Sequence, residues 1–370
     1  YCETDVLWAS AFSFMAERQE DAAPGRAGRP GGKSLSTEVI MKYVSQPIRI
    51  AGVTAKNRIV MPPMATYMAG ENGEVSQENL DYYAARARGG HIGIITTEHF
   101  FITQQGKARE RQISIASDTM TDGLKKLTAC LHQNGSLAVA QLNHVGTAAL
   151  REVTGMDPAG PSAIRPAGSQ EDAEGVRAMT ADEIHALPGL FAAAAGRAEK
   201  AGYDGVEIHA AHGYLLDQFY SPLTNKRTDE YGGELMNRIR IIREVIRAVR
   251  EKTGPSYMVG LRLGGCDYME GGATIEDAVN ACRVLEKDGL DYLSLTGGMC
   301  RYMRRGMNFP GYFGDLSEAV RKEVSVPVLL TGGVKDIADA DRLIGEGKAD
   351  LIGVGRALLK DPEWADRAFA

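Results

Sequence analysis

Cysteine is scarce in this chain, and its few copies are scattered. The five residues Cys2, Cys130, Cys266, Cys282 and Cys300 occur in 370 with no C-x-x-C pair, which excludes a disulfide framework and the ligand spacings of zinc ribbons and iron–sulfur clusters. Positive charge is not in excess either. With 42 Lys and Arg against 48 Asp and Glu, the net charge is −6, so neither nucleic acid nor an anionic membrane is an expected partner, although a single local anion site is compatible with that sum. No apolar run approaches the ~20 residues of a membrane span. The mildly apolar Leu7–Met15 follows Glu3 and Asp5 rather than basic residues, which argues against a secretory signal. A cytoplasmic location is expected.

The chain is 44% apolar and 24% charged, the composition of a soluble globular protein with a large core. Residues 1–40 begin on Tyr1 and run through the aperiodic Pro/Gly/Arg-rich stretch Ala22-Ala23-Pro24-Gly25-Arg26-Ala27-Gly28-Arg29-Pro30-Gly31-Gly32. This segment is expected to be a flexible, disordered leader, with one ordered domain over residues 41–370.

Within that domain, eight short β-branched runs alternate with amphipathic stretches. The candidate strands are Arg58–Met61, Ile92–Thr97, Leu137–Leu142, Gly205–His209, Met258–Leu263, Tyr292–Thr296, Val328–Thr331 and Leu351–Val354. The candidate helices are Ser76–Arg88, Thr119–Gln133, Ala181–Ala201, Asn237–Lys252, Ile275–Asp288, Leu316–Val324 and Ile337–Gly345, with an eighth starting near Pro362, so that the chain ends within it. Thr180-Ala181-Asp182-Glu183 and Thr274-Ile275-Glu276-Asp277 carry N-cap signals. Strands too apolar for simple alternation imply burial on both faces. Eight β–α units over some 300 residues predict an α/β fold of the (β/α)8 TIM-barrel type. A doubly wound open sheet is the alternative, disfavoured because no strand–GxGxxG–helix unit opens the chain.

Two features sit where such a barrel builds its chemistry. His209-Ala210-Ala211-His212-Gly213-Tyr214 follows the strand Gly205-Val206-Glu207-Ile208, placing two imidazoles and a phenol at a strand's C-terminal end. Imidazoles there can hold an oxyanion, and a phenol can deliver a proton. Strands seven and eight end in Thr331-Gly332-Gly333 and Gly353-Val354-Gly355-Arg356. Glycines that admit an anion to the backbone, with an Arg to clamp it, suggest a phosphate site.

Together these residues resemble the old yellow enzyme family, and within it the flavin barrel of enoate reductases and 2,4-dienoyl-CoA reductases, from about Met41 to the end. The resemblance rests on Lys56-Asn57-Arg58-Ile59-Val60-Met61-Pro62-Pro63-Met64, on Gln141-Leu142-Asn143-His144, and on the His209–Tyr214 hexapeptide with Leu215-Leu216-Asp217-Gln218-Phe219. It rests further on Asn225-Lys226-Arg227-Thr228-Asp229-Glu230-Tyr231-Gly232-Gly233, on Asn237-Arg238 and on Arg262. It implies FMN as cofactor, NADH or NADPH as reductant, and hydride passed through flavin N5 to the β-carbon of an α,β-unsaturated carbonyl, carboxylate or enoyl-CoA. It also implies that Pro62, Pro63, Met64 and Ala65 line the flavin, Gln141 meets its pyrimidine edge, and Arg262 faces N1 and the C2 oxygen. Gly332, Gly333, Gly355 and Arg356 would hold the phosphate. His209 and His212 would bind the substrate oxygen, Tyr214 would protonate the α-carbon, and Tyr67 would act as a second active-site tyrosine.

Four departures from the family pattern stand out. Ala65 replaces a cysteine found in some members, and Thr147 stands where many have arginine. Glu98-His99 ends the second candidate strand where small residues are usual, and is expected to be a solvated strand end or an acid beside the ring. In the loop Cys300-Arg301-Tyr302-Met303-Arg304-Arg305 a proton-assisting histidine is missing, while Arg301 is a candidate for an acidic substrate. No metal is expected, and no iron–sulfur cluster; a homo-oligomer is left open. A truncated flavin-binding barrel without full turnover is the alternative, because longer relatives add iron–sulfur and FAD/NAD domains. An amine dehydrogenase of the trimethylamine type is a third reading, opposed by histidines better suited to an oxyanion than to a cation.

Overall fold

Eight parallel strands close into a ring in which each is followed by a helix and pairs with the next in sequence. They are β1 (Ile59–Met61), β2 (Ile94–Phe101), β3 (Leu137–Asn143), β4 (Gly205–Ala210), β5 (Met258–Cys266), β6 (Tyr292–Gly297), β7 (Val328–Thr331) and β8 (Leu351–Gly353). β8 pairs back onto β1 through Ile352↔Ile59 and Gly353↔Val60. This closure excludes the open sheet. The computed structural model describes residues 41–169 and 175–370, so the leader expected over residues 1–40 lies outside the described residues.

Helices α1 (Gln77–Ala87), α2 (Thr121–His132), α3 (Ala181–Lys200), α4 (Arg240–Thr253), α5 (Ile275–Leu285), α6 (Gly314–Arg321) and α7 (Ile337–Gly345) follow β1 to β7. Thr180 and Thr274 cap α3 and α5 as expected, each side chain accepting the N–H of the third helical residue, whose carboxylate reaches back to the cap. After β8 come Arg356–Lys360 and Trp364–Phe369, two short helices where one was expected. Among the described residues no helix is long and apolar enough to cross a membrane.

Alternation along the strands is stricter than their composition suggested. Val206, Ile208, Val259, Leu261, Leu263, Leu293 and Leu295 pack into the large cluster that includes the helices. Their alternates face inward. At the N-terminal end of the strands the inward layer is apolar, with Val60, Ile94, Val139, Met258, Tyr292, Leu329 and Leu351 forming one cluster. A hairpin of Ile48–Ile50 and Val53–Ala55 closes this end, with Ile50 and Ala55 buried in the same cluster. One storey up the inward residues turn polar, yet Thr96, Gln141, Glu207, His209, Arg262, Ser294 and Thr296 are all buried. A sealed apolar floor under a buried polar layer directs function to the C-terminal face.

Gly260 shows how tightly the two layers meet. It lies opposite Tyr292 in the β5–β6 register, and a Cβ there would sit 2.1 Å from the phenol ring. Gly260→Ala should therefore destabilise the fold by about 1–3 kcal/mol, the usual cost of overpacking. Gly189, exposed in α3 with nothing within 4 Å of an added Cβ, is the control. Gly189→Ala should be neutral or stabilising by up to about 1 kcal/mol. Urea midpoints of the two variants decide it, and similar midpoints would contradict this packing.

Candidate active site

The loop after β4 is held in an unusual backbone shape by the helix that follows. His212 has φ 61 and Gly213 φ 75, a left-handed pair that only glycine adopts freely. The Gly213 N–H donates to Asp217 Oδ2 at 2.7 Å, and Gln218 Nε2 donates to Gly213 O at 2.7 Å and Val145 O at 2.9 Å. Gln218 Oε1 in turn accepts from the Thr147 N–H at 3.0 Å. Both residues belong to the short helix Leu215–Tyr220 and are fully buried. Asp217 and Gln218 thus fix the hexapeptide, a positioning role the family motif contained but the sequence reading did not assign.

The three rings of the hexapeptide come together. The centroids of His209 and His212 are 5.1 Å apart, as are those of His209 and Tyr214. The Ala211 N–H donates to His209 Nδ1 at 3.2 Å, leaving the proton on Nε2 and making that edge a donor. His212 Nε2 pairs with Thr296 Oγ1 on β6 at 3.2 Å. Burial pushes both imidazoles well below the ordinary histidine range, and the positive charge of Arg262 lowers them further. They are neutral hydrogen-bonding groups at physiological pH.

Arg262 lies on β5 opposite His209. It is buried, and its Nε has no hydrogen-bond partner. Near it is Glu207, fully buried, accepting from Gln141 Nε2 at 2.8 Å and from the Tyr292 hydroxyl at 3.1 Å. Burial raises the Glu207 carboxyl, and the Arg262 charge opposes that rise. Glu207 was missed from sequence, although an acid within Gly205-Val206-Glu207-Ile208 was a visible signal.

The glycine loops after β7 and β8 converge around Tyr312. A Cβ on Gly332 would lie 2.9 Å from its ring, and one on Gly333 2.3 Å from Phe309 O. Arg356 Nη2 stands 3.5 Å from the Tyr312 hydroxyl. Thr331 Oγ1 is buried without a partner. Pro62 and Met64 border Gly355, 3.4 and 3.7 Å from where its Cβ would be, so the loop after β1 reaches this corner, with Ala65 next along it.

Other candidates sit at the rim. Tyr67 is 41% exposed on the loop after β1, and Arg301, with φ 61, is half-buried where its charge acts on His212. Arg304 is engaged by Asp315, by Tyr312 O and by the Tyr268 ring. Among the described residues no cluster of three or more His, Cys, Asp or Glu could hold a metal.

The solvated-end reading of Glu98-His99 is overturned. β2 continues to Phe101, with a register shift between Thr96 and His99, and Glu98 is fully buried while His99 is 8% exposed. Glu98 accepts from Thr66 Oγ1 at 2.5 Å and Thr66 N–H at 3.3 Å, anchoring the loop that carries Pro62 to Tyr67. Burial pushes its carboxyl up to about 7, against the pull of the Thr66 hydrogen bonds. The folded state thus keeps this proton up to about pH 7, whereas a carboxyl at its ordinary 4.5 releases it earlier. Glu98 therefore costs stability progressively as pH rises through that interval. Glu98→Gln should gain on the parent protein in urea unfolding between those pH values and hold its advantage above them; parallel stability curves would contradict this.

Comparison with known proteins agrees with this geometry. Residues 44–369 match the model of the NADH:flavin oxidoreductase / NADH oxidase family. An NADH oxidase of Thermoanaerobacter brockii is 37% identical over 329 residues, 86% of this chain, which spans 50% of that protein. An NADPH dehydrogenase of Clostridium acetobutylicum is 38% identical over 314 residues, 85% of this chain and 90% of its own length. The structure of the old yellow enzyme homologue from Zymomonas mobilis superposes with a TM-score of 0.77 at 30% identity, covering 88% of this chain and 92% of its own. With the barrel closed and the match running almost from end to end of the described residues, the chain belongs to the old yellow enzyme family of FMN-dependent NADH and NADPH oxidoreductases.

Proposed function

We propose that this barrel binds FMN and reduces activated alkenes, α,β-unsaturated carbonyls, carboxylates or enoyl-CoA thioesters, with NADH or NADPH as electron source. The observation that carries the reading is the cluster of His209, His212 and Tyr214 beside Arg262, whose buried Nε has no hydrogen-bond partner. Neutral N–H donors with a phenol suit an oxygen that gains negative charge.

The residues present fit the cofactor. Arg262 Nε is an orphaned buried donor, as expected where an acceptor edge of a bound ring would complete it. Gly332 and Gly333, where a side chain would run into Tyr312 and Phe309, would form with Gly355 and Arg356 a cradle suited to a phosphate, with Thr331 Oγ1 buried beside Gly332 and unpartnered. Pro62, Pro63, Met64 and Ala65 would cover the ring from the β1 loop, and Gln141, oriented by Glu207, would meet its polar edge. When bound, FMN supplies two-electron exchange between the nicotinamide and the alkene.

The protein's own groups then have separable duties. His209 donates from Nε2 to the carbonyl or carboxylate oxygen, and His212 supports the same oxygen, drawing electron density from the alkene. Tyr214 holds the proton destined for the α-carbon; its phenol is a weak acid, so position must do most of the work. Arg262 balances negative charge at the ring edge in a site where burial strengthens that interaction. Tyr67 and Arg301, at the rim, would contact the distal part of the substrate.

The test uses purified protein with its flavin. NADH or NADPH should bleach the flavin absorbance anaerobically, and cinnamate, a cyclic enone or an enoyl-CoA should restore it. Bleaching that no alkene reverses would leave a flavin-reducing barrel without full turnover. Folded protein that takes up no flavin would end the proposal. Tyr214→Phe should slow alkene-dependent reoxidation by about 10²-fold or more while leaving bleaching by nicotinamide near that of the parent. Equal slowing of both halves would remove Tyr214 from the proton-delivery role.

A further inference from the structure

The site contains a third imidazole. His99, from the bulged part of β2, has its ring centroid 6.3 Å from that of His209 and 5.7 Å from that of Tyr214. It is held from behind by two amides: Gln112 Nε2 donates to its Nδ1 at 2.7 Å and to its carbonyl oxygen at 2.7 Å, and Asn143 Nδ2 donates to Nδ1 at 3.2 Å. Amide nitrogens are donors only, so Nδ1 is an acceptor and the ring proton resides on Nε2, the ring nitrogen that neither amide contacts. Burial, with the charge of Arg262, brings the imidazole down to about 4, so it stays neutral through the physiological range.

We infer that His99 is a specificity-determining residue whose Nε2–H donates to the second oxygen of a carboxylate substrate, selecting α,β-unsaturated acids over aldehydes and ketones. The inference rests on the alkene-reductase reading and deepens it. A carbonyl oxygen offers two lone pairs, and His209 with His212 saturates them. A further fixed N–H in the same cluster is surplus for a ketone but matched by a carboxylate, whose two oxygens offer about four acceptor positions. The setting agrees: Arg262 acts on all three imidazoles and Arg301 on His212, so a net negative group is favoured where three neutral rings meet.

The experiment compares two probes of one skeleton, cinnamate and cinnamaldehyde, by their Kd for the oxidised, flavin-loaded protein, read from the perturbation of flavin absorbance. His99→Ala should weaken cinnamate about tenfold or more, as expected for a hydrogen bond to a charged group, and cinnamaldehyde by no more than about twofold. Because alanine removes the Nδ1 acceptor that the Gln112 and Asn143 amides share, His99→Gln is the second variant; it keeps an N–H donor and should recover much of the cinnamate affinity. Histidine ¹⁵N chemical shifts, assigned by the variant, should show His99 as the neutral Nε2–H tautomer. Equal weakening of both probes, no weakening of either, a change confined to the flavin spectrum, or the opposite tautomer would each overturn the assignment of His99. Parent protein that binds neither probe and is reoxidised by no alkene would instead overturn the reading on which it rests.

Discussion

Every feature of the site depends on the two-residue period of a strand locked in a closed barrel. Glu207 and His209 are two apart on β4, so they must share a face, and closure makes that face the interior. The same rule sets Gln141 and Asn143 on β3, and Ser294 and Thr296 on β6, inside one another's reach. A one-residue slip would send all of these polar groups into the apolar shell of Val206, Ile208, Leu261 and Leu293. Register is therefore enforced by the cost of burying unpaired polar atoms there, as well as by the hydrophobic floor.

Within that frame the barrel divides labour by height. The floor is sealed by apolar side chains and the hairpin, and gives the strands a rigid origin. The polar storey above is cross-linked from strand to strand: Gln141 to Glu207 to Tyr292 spans β3, β4 and β6, and Gln218 ties the loops after β3 and β4 together. The side chains proposed for catalysis, His209, His212 and Tyr214, stand on this framework, and Asp217 and Gln218 hold the loop that carries the last two. Neutral imidazoles and a buried guanidinium share this small volume, with the Glu207 carboxyl on the neighbouring strand acting on Arg262 electrostatically.

Most of the fold was legible because its signals are local. β-branched runs, N-cap residues and glycine loops announced all eight strands and seven helices in order, and the hexapeptide announced its own place at a strand end. The fate of Glu98 and His99 was hidden by a bulge, since an extra residue between Thr96 and His99 breaks the alternation that a reader relies on. Glu207 was hidden for the opposite reason: it obeyed the alternation, inside a strand read as uniformly apolar. Asp217 and Gln218 act through backbone atoms of a neighbouring loop, a relation that only three-dimensional proximity defines.

The backbone at the active face is not relaxed. Among the described residues six other than glycine have positive φ, and five of them, Tyr67, Arg111, His212, Tyr268 and Arg301, lie on loops that follow barrel strands. Each such conformation costs on the order of 1–2 kcal/mol for an L-residue. The two ends of the same cylinder therefore differ as foundation and spring. A selection for heat resistance alone would relax those five positions first, and would flatten the surface on which the chemistry stands.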